Sequence, residues 1–142
     1  MSRLRQPNGD DHPEAARKHL DDTSVLSTGN RPDGAAYLAG YVVECSLKSL
    51  VLLEGGTPWG HDLNALSRDA LRLAALPGAR TARYIPRMTP GHTLYDPQGG
   101  WRETIRYRAP GCVDRATAAS WVGEAQAIFE STIVPMQLDG VI

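Results

Sequence analysis

The stretch DGAAYLAGYVVECSLKSLVLLE, residues 33–54, carries the period of one long helix. Ala35, Ala39, Val42, Val43, Leu47, Leu50 and Val51 line one broad apolar face, whereas Tyr37, Tyr41, Glu44 and Lys48 line another. Asp33 is placed to cap the first turn, and Gly29-Asn30-Arg31-Pro32 before it reads as a turn. Glu44 and Lys48 stand four apart in the favourable order, a pair worth only about 0.3–0.5 kcal/mol when exposed. Gly40, in mid-helix, costs about 1 kcal/mol against alanine and allows close approach to the backbone, for which a packed neighbouring helix is the leading explanation.

Working outward, Pro13 suits a first helical turn, and Ala16, Leu20, Thr23 and Leu26 follow at helical spacing, giving a helix over roughly 13–27. On the other side, Gly55, Gly56, Pro58 and Gly60 stop the long helix. Asp62 then opens a third, over roughly 62–76, marked by Leu63, Leu66, Ala70, Leu73 and Leu76. The pattern dissolves over 77–112, where 36 residues hold ten Pro or Gly and at most one helical turn around Trp101–Tyr107. Asp114 caps a last helix whose apolar positions, Ala118, Trp121, Val122, Ala125, Ile128, Phe129 and Ile133, run until Pro135. The expected class is all-α: an antiparallel, up-down four-helix bundle with a long Pro/Gly/Arg-rich loop before its last helix. Residues 1–11 read as a flexible tail, 12–135 as the helical domain and 136–142 as a short C-terminal tail.

The 142 residues suffice for one core, and a formal charge of −1 excludes a whole-molecule field toward nucleic acid or membrane. Two cysteines exclude a disulfide framework and a four-thiolate zinc site. Residues 35–53 are interrupted by Tyr, Glu, Ser and Lys, so a membrane span is not expected, and the reading is cytoplasmic. Charge is lopsided within the chain. Arg80, Arg83, Arg87, Arg102, Arg106 and Arg108 against Asp96 and Glu103 give the 77–112 segment +4, leaving −5 for the rest. Tyr84, Tyr95, Trp101 and Tyr107 fall among those arginines, and guanidinium groups beside aromatic faces suit phosphates and unstacked bases. An acidic partner, a dimer seam or plain solvation of the loop are the alternatives.

The run Asp33–Lys48, followed by His61-Asp62-Leu63 and later Arg106-Tyr107, resembles the HEPN domain (higher eukaryotes and prokaryotes nucleotide-binding). The segment Ala16–Leu26 and the last helix with Ala118 and Ala125 are similar too, so the resemblance covers about residues 12–134. It implies a helical bundle that dimerises, with roles in RNA cleavage, toxin–antitoxin pairs, phage defence or nucleotide binding. A minimal nucleotidyltransferase is an implied partner. Ribonucleases of the family carry an arginine, four to six residues and a histidine near the start of the last helix. Here Arg87-Met88-Thr89-Pro90-Gly91-His92 has that spacing but holds Pro90 and Gly91 and lies some twenty residues ahead of that helix.

If the pair acts, no metal or other cofactor is needed. A neutral His92 imidazole takes the proton of a ribose 2′-hydroxyl, Arg87 stabilises charge on the attacked phosphate, and an imidazole of the partner chain protonates the leaving oxygen. The candidate binding residues are Tyr37, Tyr41, Glu44 and Lys48 on the long helix, with Tyr95, Arg106, Tyr107 and Arg108 on the loop. The competing explanation of the flank is structural, with Glu44 paired to a loop arginine and thereby tying the loop down. His61-Asp62 reads as a helix start rather than a metal pair, and His12 and His19 share a face of the first helix. Two functions stand: a binding or dimerisation module for RNA, nucleotide or a nucleotidyltransferase-type partner, and a metal-independent endoribonuclease using Arg87 and His92.

Overall fold

The computed structural model describes residues 1–86 and 93–142. It holds four helices, α1 (His12–Thr28), α2 (Pro32–Leu53), α3 (Leu63–Ala74) and α4 (Arg115–Leu138), two short 3₁₀ turns, and no strand among the described residues. The all-helical expectation is met. Three of the helices start where their amides find a side-chain acceptor: Asp11 for α1, Asp62 for α3 and Asp114 for α4. Helix α2 departs from the expected start. Pro32 opens it, Arg31 occupies the cap position without a side-chain bond, and Asp33 faces elsewhere.

Helix α2 is the central rod and packs on α1, α4 and α3. Fourteen of its 22 residues are buried, Glu44 of the polar flank among them, while Tyr37, Tyr41 and Lys48 on that flank are half-buried. Ser46 and Ser49 satisfy their buried hydroxyls on the carbonyls of Val42 and Cys45, at 2.7 and 2.8 Å. By length and composition α2 would pass for a membrane span, but 72% of its apolar window lies inside the protein.

The last helix runs through Pro135 to Leu138 rather than stopping there. Proline removes one amide and crowds the preceding turn, yet Met136 just beyond it is fully buried and accepts the Val141 amide at 3.0 Å. That docking holds the final turn. Val141 and Ile142 pack on the core, as does Leu4 at the other end of the chain.

The expected turn near Trp101 is a 3₁₀ turn over Glu103–Tyr107, and a second covers Ala82–Tyr84. The described parts of the 77–112 segment are fastened mainly by carboxylates that accept backbone amides. Glu54 takes those of Arg80 and Thr81 at 2.6 and 2.7 Å. Glu124 takes those of Thr93 and Leu94, both at 2.9 Å, and Asp33 takes those of Gly111 and Val113 at 2.6 and 2.9 Å. Asp139 receives the Tyr84 hydroxyl at 2.6 Å and pairs with Arg83.

Candidate functional site

The candidate face is built where this segment crosses the polar flank of α2. Trp101 lies directly on the backbone of Gly40, so close that a Cβ there would sit 1.8 Å from the indole. Its Nε1–H donates to the Tyr37 carbonyl at 3.0 Å, and its own amide donates to the Leu94 carbonyl at 2.9 Å. Gly40 therefore admits an aromatic ring of the loop and not the neighbouring helix that was expected. Tyr41 meets Trp101 and Tyr37 edge-on, with centroids 5.2 and 5.1 Å apart, and its hydroxyl lies 3.3 Å from that of Tyr37. Burial, reinforced by Tyr37, pushes the Tyr41 phenol far above its usual pKa, so it acts as a neutral hydrogen-bonding group.

Among the described residues Glu44 pairs with no loop arginine. It is 2% exposed and is held by Lys48 Nζ at 2.8 Å and by His61 Nδ1 at 2.9 Å. The Glu44–Lys48 pair is thus buried rather than a solvated i,i+4 bridge, and removing one partner would strand a charge. Asp62 caps α3 as expected, accepting the amides of Asn64 and Ala65 at 2.9 and 3.2 Å. His61, just before it, has the additional role that its position in sequence did not reveal. His19, on α1, stacks near Tyr41 at 5.6 Å, and burial holds both it and His12 below the usual imidazole pKa.

Beyond Trp101 the chain turns outward. Ile105 is buried and anchors the 3₁₀ turn, while Arg102, Arg106, Tyr107 and Arg108 are exposed, Tyr107 at 76%. Arg106 lies 4.8 Å over the Tyr107 ring, and the hydroxyls of Tyr37 and Tyr107 hold its guanidinium above its ordinary value. None of these three arginines makes an ion pair among the described residues. Next to the turn lies a cleft of about 580 Å³, lined by His61, Arg68, Asp96, Arg102 and Glu103 over a floor that includes Tyr95 and Trp101. Tyr95 is 4% exposed, so its ring forms part of the core and not an outward stacking surface.

The structure thus brings Tyr37, Tyr41, Arg106 and Tyr107 together, and sets Glu44 and Lys48 beneath them with His61. Arg108 lies further along, at a second concavity that Arg102 and the start of α4 share. Arg87 and His92 lie outside the described residues. Their neighbour Thr93 is fastened to α4 through Glu124 and through the Trp121 Nε1–H, which donates to its hydroxyl at 3.0 Å. Among the described residues no cluster of His, Cys, Asp and Glu could hold a metal ion. Neither cysteine offers a reactive thiolate: burial pushes Cys45 up to about 12, and Cys112 is also raised, by burial and by Asp33.

Three helices around the buried central rod α2, with an arginine-bearing excursion seated on its flank, define an all-helical domain with a candidate site on that polar flank. A family model for the HEPN domain matches residues 10–132, and the chain belongs to that family. Neither a curated protein nor a solved structure matches it.

Proposed function

We propose that this HEPN-domain protein is a cytoplasmic homodimer that binds RNA or a nucleotide-bearing partner through the face formed by Arg102, Arg106, Tyr107 and Arg108. One observation carries the reading: these four side chains are exposed on and beside a turn that buried Trp101 and Ile105 seat against α2. Guanidinium groups without carboxylate partners are available for phosphates, and an exposed ring backed by a cation offers a stacking surface for an unpaired base. An acidic nucleotidyltransferase-type protein would present carboxylates to the same groups.

Labelled single-stranded RNA titrated at two salt concentrations tests this. Phosphate contact makes affinity fall steeply with salt, and Arg106→Ala with Arg108→Ala should lower the logarithmic salt slope by about 2. Binding that is salt-independent, or unchanged in the double variant, overturns the reading. The same RNA incubated in EDTA tests the ribonuclease alternative: cleavage by wild type that His92→Ala abolishes would assign catalysis to Arg87 and His92.

A further inference from the structure

Tyr41 is the hub of a ring cluster that joins separate parts of the chain. His19 of α1 meets it at 5.6 Å, His61 at 6.1 Å and Trp101 of the excursion at 5.2 Å. Tyr37, at 5.1 Å, completes the cluster, and its carbonyl takes the Trp101 Nε1–H. Helix α1 and the arginine-bearing excursion therefore press on the same phenol. In a close-packed interior, a displacement of one ring is passed to the next.

Within that cluster His19 is poorly placed to carry a positive charge. Its Nδ1 is buried and has no hydrogen-bond partner among the described residues, and the Thr23 hydroxyl one turn further on does not supply one. Whichever nitrogen holds the proton of the neutral ring, the cation bears an N–H on both, so a charged His19 would strand a buried donor. The neighbouring charges give little relief. Lys18 repels a proton there, and Asp22 is exposed, where water screens it. Glu44, across on α2, is already held by Lys48 at 2.8 Å and by His61 Nδ1 at 2.9 Å. His12 lies on the same face of α1. Burial and then Lys48 oppose its charge, and Asp10, Glu44 and Asp11 offset them only in part.

We propose that His19, assisted by His12, is an acid-operated latch on the arginine face: uncharged, it packs on Tyr41 and keeps Trp101 on Gly40, and on gaining a proton it leaves, loosening the turn that carries Arg106. The latch stands apart from what the arginines bind. Its sign follows from linkage. The closed arrangement holds both imidazoles below the usual value, and an open one returns them to about 6.5. Closure is at full strength above that pH. Below it, the ratio of closed to open falls about tenfold per pH unit for each ring, until the lowered value is passed.

The test is an NMR titration of the full chain from about pH 8 to about pH 5, following the indole N–H signals of Trp59, Trp101 and Trp121 and the rings of His12 and His19. Expected is a shift of the Trp101 signal below about pH 6.5, in step with the His19 ring. Trp121, bonded to the Thr93 hydroxyl at 3.0 Å, and the amides of α2 should hold their positions. In His19→Gln, which keeps a polar side chain and takes up no proton, the Trp101 movement should fall by about half or more. Should that variant fail to fold, the wild-type titration decides alone, because Trp101 and the His19 ring must then share one midpoint. The latch is overturned by a Trp101 signal that stays in place after His19 has titrated, or by movement that survives in His19→Gln. It is equally overturned if Trp121 and the α2 amides are lost together with Trp101, since that is global acid unfolding. No readout involves RNA, so each outcome bears on the latch and leaves the proposed function to its own test.

Discussion

Inside α2 the backbone amides are satisfied by the helix itself, so what fixes the rod in place is side-chain burial: Leu47, Leu50 and Leu53 contribute about 1.5–3 kcal/mol each. Between Pro77 and Cys112 the situation reverses. There, among the described residues, some amides bond within the segment, as Trp101 does to the Leu94 carbonyl, and others are taken by Glu54, Glu124 and Asp33, reaching out from the helices. One region is positioned chiefly by apolar area, the other by a few buried anchors, Tyr84, Leu94, Trp101 and Ile105, together with directed bonds worth about 0.5–1.5 kcal/mol apiece. The first kind of positioning tolerates small shape changes along its length. The second fixes the segment at a few points, and the arginine face depends on them.

The two modes meet at Gly40, where the largest effect is expected. Alanine would gain the helix about 1 kcal/mol, but its Cβ would collide with Trp101, and unseating a buried aromatic costs about 3–5 kcal/mol. The net expectation for Gly40→Ala is a loss of about 2–4 kcal/mol in chemical denaturation, with the Trp101 emission shifting to the red. A neutral or stabilising outcome would mean that the indole is not seated by directed contact with the helix. Glu124→Ala should cost less, about 1–3 kcal/mol, because it strands the amides of Thr93 and Leu94 without opening an apolar hole. Hydrogen exchange checks it: the Leu94 amide should lose protection while amides of α2 keep theirs, and uniform loss across both would erase the distinction.

The helices were legible because each announces itself by period and punctuation: the apolar spacing of residues 33–54, Asp62 before Leu63 and Asp114 before Arg115. Pro135 misled because burial of Met136, a tertiary fact, outweighs the local cost of proline. The site was half legible. Tyr37, Tyr41, Glu44 and Lys48 could be placed on one flank by helical geometry alone, and Arg106 and Tyr107 by charge and aromatic content. Their partners could not, since nothing in the order of residues says that His61, seventeen positions on, returns to Glu44 or that Trp101 lands on Gly40. Long-range pairing leaves no periodic trace. A glycine in mid-helix and an isolated histidine after a glycine were the available signals, and each has several readings until the chain is folded.

The smallest predicted effect isolates the directed bonds by pH. The amides of Gly111 and Val113 hold the Asp33 carboxyl below its usual value, slightly opposed by burial and helped by Cys112. A carboxylate whose folded pKa is depressed stabilises the fold above its unfolded pKa of about 3.9, and that contribution disappears as pH falls through the lower folded value. Thermal unfolding of wild type should therefore exceed that of Asp33→Ala by a few degrees near pH 6, with the gap closing at the acid end. His12 and His19 complicate the raw curve. Burial depresses both, so each favours the fold when neutral and withdraws that support as pH falls below about 6.5. Because wild type and variant share those histidines, the decline they cause cancels in the difference, and only the Asp33 contribution remains in the window below about 3.9. A gap unchanged at low pH would show that Asp33 acts through packing, and the loop's end would then join α2 in being held by contact area instead of by hydrogen bonds.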